Sequence, residues 1–204
     1  MTIIRPGQRM IHVPGLGVRT SSRAVSAGGP SYIIYDTFTG SGALTSHSPD
    51  VGGSWIESGG GAVWSISSNK ATNNDQYTTY AIIDSSVYDC TVEVVLNPRD
   101  ATSSFVRGLI ARFSDASNYY KIGVKYTANE FGIYNISNGS LSSTAFTVTP
   151  GVDHTIVAVM SGTTITATIN GGNQVVYNSA SLTGTYHGMA GRYTGDTMDN
   201  FAVY

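Results

Sequence analysis

From about residue 32 onward, short apolar and β-branched stretches alternate with clusters of Gly, Asn, Asp and Ser. This pattern predicts a succession of short strands separated by turns. The predicted strands cover residues 32–38, 62–67, 77–83, 88–96, 105–113, 119–126, 131–136, 145–148, 155–160, 163–169, 174–177, 187–192 and 198–204. A series of short strands roughly ten residues apart is typical of a β-sandwich or a barrel.

Strict alternation in two of these strands assigns side chains to opposite faces of a sheet. The residues expected in the core are Cys90, Val92, Val94 and Leu96 on one strand, then Tyr120, Ile122, Val124 and Tyr126 on the other. The residues expected on the outer faces are Asp89, Thr91 and Glu93, then Tyr119, Lys121, Gly123 and Lys125. The outer faces are therefore predicted to be polar with scattered aromatic rings, which fits either a solvated surface or a ligand platform.

Two tight turns are predicted late in the chain. Ser161-Gly162 and Asn170-Gly171-Gly172 each separate two apolar strands. Gly and Asn adopt the positive φ angles that short hairpin loops require, so both segments predict β-hairpins.

The composition supports an all-β interpretation. The 204 residues include 24 Gly and 13 Tyr but only three Glu and three Lys, so residues that favour helices are scarce. The 41% hydrophobic content is enough for a core, and the length fits one domain. No stretch approaches the roughly 18 uninterrupted apolar residues of a membrane span, so no membrane insertion is expected.

The net charge of −2 conceals two unlike segments. Residues 1–30 hold four Arg and no acidic residue, a charge of +4, whereas the rest of the chain holds seven basic and 13 acidic residues, a charge of −6. Residues 1–31 are predicted to form an extended basic arm that anchors the domain of residues 32–204. The proposed anchoring residues are Arg5, Arg9, Ile11, Val13, Leu16, Arg19 and Arg23. The alternative is a flexible tail. No nucleic-acid partner is expected, because the arginines are widely spaced and no aromatic residue lies among them.

The first residues and the cysteine content bear on where the chain folds. Arginines and prolines interrupt the leader, which lacks the unbroken apolar core of about 7–15 residues that a secretory signal needs. Cys90 is the only cysteine, so no intrachain disulfide is possible. Its apolar neighbours at alternate positions predict a buried structural thiol. The chain is expected to fold in a reducing cytoplasm.

Catalytic chemistry has little support in the sequence. Glu93 and Asp89 share a strand but lie four residues apart, about 13 Å at strand rise, whereas a retaining glycosidase needs about 5–5.5 Å. The four histidines are scattered, and no Gly-x-Ser-x-Gly segment occurs. No catalytic residue and no metal ligand is therefore predicted. A carboxylate pair assembled from distant strands stays open as an alternative.

Sugar binding needs flat apolar rings together with amide, carboxylate or guanidinium groups for the hydroxyls. Trp55 and Trp64 are expected in the core rather than at a binding surface. The predicted carbohydrate-binding residues are Arg112, Asn118, Tyr119, Lys121, Tyr134, His187, Arg192 and Tyr193.

Five short motifs follow one another in a recognisable order. They are Asp36-Thr37-Phe38, then Leu44 with His47-Ser48-Pro49-Asp50 and Gly53-Ser54-Trp55, then Gly108-Leu109-Ile110-Ala111-Arg112-Phe113 with Asn118-Tyr119-Tyr120, then Thr163-Thr164-Ile165 with Ile169-Asn170-Gly171, and finally Met198-Asp199-Asn200-Phe201-Ala202-Val203. Over residues 34–204 this order resembles the concanavalin A-like lectin/glucanase superfamily, and within it the laminin-G-like jelly rolls.

The resemblance implies a fold and a setting. The fold is an antiparallel two-sheet jelly-roll sandwich whose first and last strands pair. Similar modules often bind carbohydrate and recur in phage tail, fibre and capsid-decorating proteins. The expected function is a non-catalytic, phage-like virion-surface module that binds host-surface glycan. Its arm would dock it to other virion or assembly proteins, and several copies would form a homo-oligomer in the virion.

Two alternatives to this function are a purely structural decoration or fibre protein without glycan binding, and a glycoside hydrolase or lyase of the same fold. The retaining glucanases of this fold carry Glu-x-Asp-x-x-Glu on one strand, and this sequence has no such run. Laminin-G-like modules often hold calcium, and Asp36 and Asp199 would be its ligands where the terminal strands pair. The alternative is that Asp199 simply caps a turn. No other cofactor is expected.

Overall fold

The computed structural model describes residues 29–58, 63–100 and 102–204, which form sixteen β-strands and two short 3-10 helices. The helices, Leu44–Ser46 and Tyr126–Ala128, have three residues each. Within these ranges no helix has the length and apolar character that crossing a membrane requires. The predicted arm and its anchoring residues lie outside the described residues, apart from residues 29–31.

Nine strands form the first sheet, sheet A. They are β1 (Ile34–Asp36), β2 (Gly42–Ala43), β4 (Trp64–Ser67), β5 (Lys70–Asn73), β7 (Thr91–Asn97), β12 (His154–Ser161), β13 (Thr164–Ile169), β14 (Asn173–Tyr177) and β16 (Thr197–Val203). Their order across the sheet is β14-β13-β12-β7-β16-β5-β4-β2, and β1 pairs with the second half of β16.

Seven strands form the second sheet, sheet B. They are β3 (Ile56–Ser58), β6 (Thr79–Asp84), β8 (Val106–Asp115), β9 (Asn118–Lys125), β10 (Glu130–Tyr134), β11 (Ser140–Ala145) and β15 (Tyr186–Gly191). Their order is β11-β10-β9-β8-β15-β6-β3, and every strand pair in both sheets is antiparallel. The predicted all-β sandwich of two antiparallel sheets is confirmed.

The main core lies between the two sheets, and the alternation in the sequence identified its side chains correctly. The core includes Cys90 and the inward side chains of β7 and β9: Val92, Val94, Leu96, Tyr120, Ile122 and Val124. Trp64 is fully buried and Trp55 is 3% exposed, so both tryptophans are core residues, as predicted. Gly162, Asn170 and Gly171 have positive φ in the two predicted hairpins.

Beside the paired first and last strands, two of the five sequence motifs meet at one carboxylate. Asp36, which is fully buried, accepts hydrogen bonds from the Phe38 N–H at 2.7 Å and from Trp55 Nε1 at 2.7 Å. His47 Nε2 lies 2.9 Å from the same carboxylate. Nitrogen groups therefore surround this carboxylate, an arrangement that does not fit calcium, which prefers oxygen ligands. The described residues contain no group of three or more His, Cys, Asp or Glu side chains suited to a metal.

Several strand predictions need correction. The strand predicted at residues 145–148 is wrong: β11 occupies Ser140–Ala145, because the Ser-rich segment pairs with β10 while Phe146 and Val148 follow it. The strands β2, β3 and β5 were not predicted, since each has only two to four residues and their sequences are polar or mixed.

A β-bulge interrupts β8 near its end. The register between β8 and β9 shifts between Ala111 and Asp115, and β15 shifts against β8 between Tyr186 and Gly188. Arg112 lies within this irregularity with a φ of 49°. The bulge leaves the Arg112 N–H without a strand partner and turns its side chain away from the regular faces.

Candidate functional site

The outer face of sheet B, which is turned away from the main core, carries an apolar cluster of its own. Its buried members are Ile82, Ile110, Phe113, Tyr119 and Ala190, and the half-buried Tyr80, Ile136 and Tyr186 pack around them. We call these eight residues the outer cluster. The outward side chains of a β-sandwich are ordinarily polar, so a second apolar cluster marks this face as a candidate binding surface.

The sequence of β6 explains how the outer cluster forms. Ala81 and Ile83 belong to the main core, whereas Tyr80 and Ile82 project to the other side of the same strand. A strand that is apolar on both faces needs cover on both faces. The aromatic side chains of neighbouring strands provide that cover on the outer side.

Three aromatic rings meet across the outer face. The rings of Tyr80 and Tyr119 are 5.2 Å apart in an edge-on arrangement, and their hydroxyl oxygens are 2.6 Å apart. Phe113 packs on the other side of Tyr119 with a ring separation of 5.4 Å. Burial raises the pKa of Tyr119, and its hydrogen bond to Tyr80 raises it further. Tyr119 is therefore a neutral phenol that ties β9 to β6.

A band without large side chains crosses the sheet beside the outer cluster. Strand pairing aligns Ala190, Gly108, Gly123 and Gly132 on the adjacent strands β15, β8, β9 and β10. A Cβ atom at Gly123 would clash with the carbonyl oxygen of Arg107, so this position requires glycine. At Gly132 the side chains of Tyr134 and Ser143 occupy the place of a Cβ atom, so they cover that end of the band.

Two lysines on the outward side of β9 hold the hairpin of residues 135–139 against this face. Lys121 Nζ donates to the Ile136 carbonyl at 2.8 Å and to Asn138 Oδ1 at 2.9 Å. Lys125 Nζ donates to the Asn138 carbonyl at 3.3 Å. Lys121 is only 2% exposed, and burial lowers the pKa of its ammonium group to about 8.

Arg192 extends the same face beyond the end of β15. Its guanidinium carbon lies 3.9 Å from the centre of the Phe105 ring and 5.7 Å from the centre of the Tyr193 ring. One terminal nitrogen donates to Thr78 Oγ1 at 3.2 Å. The Nε of Arg192 is buried and has no hydrogen-bond partner among the described residues. Arg192 therefore retains an unused donor.

A fully buried carboxylate fixes the turn that carries Arg192 and Tyr193. Asp196 accepts hydrogen bonds from the backbone N–H groups of Arg192 at 3.1 Å and Tyr193 at 3.4 Å. It also accepts the Arg99 N–H at 3.0 Å and forms an ion pair with Arg107 Nη1 at 3.0 Å. The turn at one end of the candidate surface is therefore held by four donors to a single side chain.

At the opposite end of the sheet, a histidine side chain accepts a hydrogen bond from the backbone N–H that the bulge leaves without a strand partner. The Arg112 N–H donates to His187 Nδ1 at 3.3 Å. Because Nδ1 accepts, the proton of the neutral imidazole is on Nε2, which lies 3.0 Å from the Val87 carbonyl and donates to it. Cys90 Sγ lies 3.4 Å from the same Nε2. Burial raises the pKa of Cys90 to about 12, so this cysteine is the buried thiol that the sequence predicted.

The side chain of Arg112 also makes its hydrogen bonds within the fold. Its guanidinium donates to the Asp89 carboxylate at 2.7 Å, to the Tyr88 carbonyl at 3.1 Å and to the Gly162 carbonyl at 2.8 Å. These bonds join β8 to the β12–β13 hairpin and to the segment before β7. Arg112 is 1% exposed, so its charge is neutralised inside the protein.

His187 gives a testable dependence of stability on pH. Burial lowers the pKa of His187 to about 4, below its ordinary value of 6.5. The unfolded chain therefore takes up a proton between pH 6.5 and 4 that the folded chain does not, and stability falls as the pH falls through this window. Over the whole window the loss attributable to His187 is about 3 kcal/mol.

The measurement is urea unfolding at several pH values for the native protein and for His187→Gln, which cannot titrate. The free energies of unfolding should diverge below neutral pH, with the variant losing less stability on acidification. Parallel curves for the two proteins between pH 7 and 4 would contradict the assignment.

The structure gathers some of the predicted carbohydrate-binding residues on the outer face of sheet B and separates others from it. Tyr119, Lys121 and Tyr134 lie on that face, Asn118 lies at the exposed start of β9, and Arg192 and Tyr193 lie together at the far end. Arg112 and His187 lie beneath the opposite end, in the buried arrangement around the bulge. The contacts do not test a binding role for any of these residues, and that role stays a prediction.

The predicted exposure of these side chains does need correction. Tyr119 and Lys121 point away from the main core as predicted, but they are only 4% and 2% exposed. Tyr134 and His187 are fully buried. Tyr80 packs against Tyr119, and the hairpin of residues 135–139 contacts Lys121. The outer face of sheet B is therefore largely apolar and closed, not polar and open.

Three contributors to this face were not identified from the sequence: Tyr80, Phe113 and Tyr186. Tyr80 offered a usable signal, since residues 80–83 are apolar at four consecutive positions within a predicted strand. Such a run indicates a strand that is covered on both faces.

The three glutamates occupy separate places. Glu57 accepts the Trp64 N–H at 2.8 Å, and burial raises its pKa. Glu93 accepts the Tyr204 hydroxyl at 3.3 Å on the outer face of sheet A. Glu130 faces Lys125 across the β9–β10 pair. No two of these glutamates are partners in strand pairing, and the described residues enclose no pocket.

Comparisons with known proteins show the fold. No protein-family model and no curated protein sequence matches this chain. Among solved structures, the carbohydrate-binding module CBM66 from Bacillus subtilis is similar with a TM-score of 0.55 and 12% identity, over 73% of this chain and 92% of that module. Domain 4 of AbnA, an extracellular GH43 arabinanase from Geobacillus stearothermophilus, solved in complex with arabinotriose, is similar with a TM-score of 0.58 and 12% identity, over 85% of this chain and 91% of that domain.

A third similar structure is a protein with a galectin-like fold from Bacillus subtilis. Its TM-score is 0.56 and its identity 11%, over 74% of this chain and 88% of that protein. Identities this low establish a shared architecture and nothing further. The chain therefore has the lectin-like jelly-roll fold that its sequence motifs suggested.

Proposed function

We propose that this chain is a non-catalytic carbohydrate-binding module whose ligand lies on the outer face of sheet B. The observation that carries the proposal is the outer cluster: an apolar, aromatic surface built outside the main core. Its half-buried members Tyr80, Ile136 and Tyr186 form the part open to a ligand. Burying further aromatic surface under a ligand is favourable, and a non-polar face of this kind is unusual on a solvated sandwich.

A sugar matches this surface better than a purely apolar ligand does. The C–H face of a sugar ring can pack on a tyrosine ring, while its hydroxyls need hydrogen-bonding groups at the edges. Lys125 and Arg192 are half-buried donors on the same face, and Asn118 is exposed at one end.

The similar structures support this proposal, but the main evidence for it is the outer cluster. CBM66 is a carbohydrate-binding module, and domain 4 of AbnA was solved with arabinotriose. Both share the fold, and a fold can host more than one function.

The setting that we propose is the surface of a phage-like virion, with residues 1–31 docking the module to other virion proteins and several copies assembled together. The support for this setting is the sequence alone: the +4 charge and the apolar residues of residues 1–30, together with the order of motifs. The chain would be made in the host cytoplasm and act on a host-surface glycan.

The test of the binding face is a pair of single substitutions measured by affinity electrophoresis and calorimetry against a panel of polysaccharides. Tyr80→Ala and Tyr186→Ala should each weaken binding by about 1–2 kcal/mol, roughly five- to thirty-fold in Kd, because each removes an aromatic ring from the ligand face. Tyr80→Phe should retain most of the affinity, since it keeps the ring.

Tyr32→Ala is the matched control, because Tyr32 is 39% exposed and packs against Tyr35 and Tyr204 at the edge of sheet A. It should bind as the native protein does. If the native chain binds none of the polysaccharides, a purely structural decoration or fibre protein is the better account. Release of reducing ends that is lost in Glu93→Gln would establish a glycosidase instead.

A further inference from the structure

The positive charges of the domain divide into paired and unpaired groups. Every aspartate and glutamate of the chain lies within the described residues, so the structure shows every side-chain carboxylate that could pair with one of these cations. Lys70, Arg107 and Arg112 each form an ion pair with an aspartate. The other four, Arg99, Lys121, Lys125 and Arg192, have no carboxylate within 4.0 Å. Arg99 is exposed and donates to the Thr194 carbonyl, whereas Lys121, Lys125 and Arg192 lie on the outer face of sheet B. A domain segment of net charge −6 thus keeps unpaired cations on the proposed ligand face.

Lys121 is the most unusual of the three. Arg107 and Arg112 are as deeply buried, and both meet a carboxylate. The ammonium group of Lys121 instead meets two neutral oxygens, those of Ile136 and Asn138. Withdrawing a cation from water is costly unless a counter-charge compensates it, and this chain supplies none.

Lys125 adds a second cation at the same place. Lys121 and Lys125 both donate to Asn138, one to its side chain and one to its backbone. Two positive charges therefore converge on a single neutral residue of the 135–139 hairpin. Like charges held close together in this way favour the arrival of an anion.

Arg192 lies within reach of the same ligand. Alternation along β15 and its pairing with β8 put Arg192 in one row with Val106 and Lys125. Two strand spacings separate the backbones of Arg192 and Lys125, about 10 Å. The Arg192 side chain is half-buried, and its charge is not paired with a carboxylate, although its Nε atom is itself buried.

The carboxylates near this face do not cancel these charges. Glu130 is opposite Lys125 in the strand pairing without forming an ion pair. Asp84 and Asp115 are exposed near the other end of the face, where Ser117 and Asn118 donate to Asp115. Asp100 and Asp196, near Arg192, both lie beside Arg107. The unpaired side-chain cations therefore lie at the Lys125–Arg192 end of the face, which we call its positive end, and the exposed carboxylates of Asp84 and Asp115 lie at the opposite end.

From this arrangement we infer that the glycan bound on the outer face of sheet B is acidic, with a carboxylate or sulfate group received between Lys125 and Arg192 and with Lys121 behind them. The inference rests on the proposed function, since it names the class of sugar for that same face. An anionic group there would pair with cations that the folded chain leaves without a counter-charge.

The experiment compares polysaccharides that differ only in charge: polygalacturonate with its fully methyl-esterified form, and dextran sulfate with dextran. The full chain should bind the charged member of at least one pair about ten-fold more tightly, because charge-assisted hydrogen bonds exceed neutral ones in strength. The difference should shrink as NaCl rises. Lys125→Gln and Arg192→Gln should each weaken binding to the charged member more than binding to the neutral member, so the ratio of the two affinities should fall.

Two controls make the result specific. Lys70→Gln removes a cation from sheet A and should leave the preference intact. Replacing Arg5, Arg9, Arg19 and Arg23 with glutamine in the full chain should also leave it intact, since the preference is assigned to sheet B. Lys121→Gln is informative only where its melting temperature stays near that of the native protein, and Lys125→Gln supplies the test otherwise.

The possible outcomes separate the two proposals. Equal affinity for charged and neutral members, with no salt dependence, would overturn the acidic-glycan inference and leave the carbohydrate-binding proposal standing. A preference that disappears with the four arginines of residues 1–28 would likewise overturn it. Absence of binding to every polysaccharide would remove the proposed function, and this inference with it.

Discussion

Replacing Asp196 with alanine is expected to lower the free energy of unfolding by about 3–5 kcal/mol, the range found when one partner of a buried ion pair is removed. Asp196 and the Arg107 side chain are both fully buried, and their ion pair spans 3.0 Å. Without Asp196 the Arg107 guanidinium would keep one carboxylate, that of Asp100 at 3.5 Å, and its hydrogen bond to the Asp100 carbonyl at 2.9 Å. The backbone N–H groups of Arg99, Arg192 and Tyr193 would lose their acceptor as well.

The matched control is Asp100→Ala. Asp100 is the other carboxylate beside Arg107, but its side chain is 31% exposed and the contact is longer. We expect a cost of about 1 kcal/mol or less, the usual size for a solvated ion pair. Urea unfolding followed by fluorescence measures both variants. Equal costs for the two would show that burial of the Asp196 pair does not determine its effect.

Asp196 also connects stability to binding. Its hydrogen bonds to Arg192 and Tyr193 hold the turn at the positive end of the ligand face. At temperatures where Asp196→Ala remains folded, its affinity for a polysaccharide ligand should therefore be lower than that of Asp100→Ala. This comparison tests positioning rather than direct contact, because Asp196 is too deeply buried to touch a ligand.

Replacing Asp36 with alanine is the second substitution with a large expected effect, a loss of about 3–5 kcal/mol. Hydrogen bonds to charged groups contribute about 1.5–3 kcal/mol each, and two buried donors, the Phe38 N–H and Trp55 Nε1, depend on this carboxylate. Asp36→Asn should cost less, because the amide keeps the shape and one acceptor oxygen. Fluorescence-monitored urea unfolding suits this series, since Trp55 reports directly on the site.

Asp50 provides the control for Asp36. Its carboxylate accepts two hydrogen bonds from Thr37, the residue next to Asp36, but Asp50 is exposed. Asp50→Ala should cost about 1 kcal/mol or less, because water replaces the lost contacts. A cost for Asp36→Ala as small as that for Asp50→Ala would mean that the two motifs around Asp36 are held together by packing alone.

The fold was predictable from the sequence because it depends on local alternation. In β7 and β9 the apolar residues recur at every second position, so Val92 and Ile122 could be assigned to the core without knowing their neighbours. The strand β11 was misplaced for the opposite reason. Its Ser- and Thr-rich sequence resembles a loop, and only its pairing with β10 makes it a strand.

The candidate site was less predictable, because the burial of its residues depends on contacts distant in sequence. Alternation gave the correct direction for Tyr119, yet Tyr80 from β6 covers it, 39 positions earlier in the chain. His187 was expected at the surface, but it completes the hydrogen bonding of a bulge in β8, 75 positions away. No repeating sequence pattern marks a bulge of this kind, so neither the position of the bulge nor its contact with His187 could be predicted.

The pairing of β1 with β16 has a consequence for how the module presents its ligand face. Ile33 donates from its backbone to the Val203 carbonyl, so residue 33 and Tyr204 lie side by side on sheet A. The outer cluster lies on the far side of the other sheet. A tether at either point would therefore hold the domain by one sheet and leave the opposite sheet facing outward. Immobilising the protein through Tyr204 should orient every copy with sheet B toward the solution.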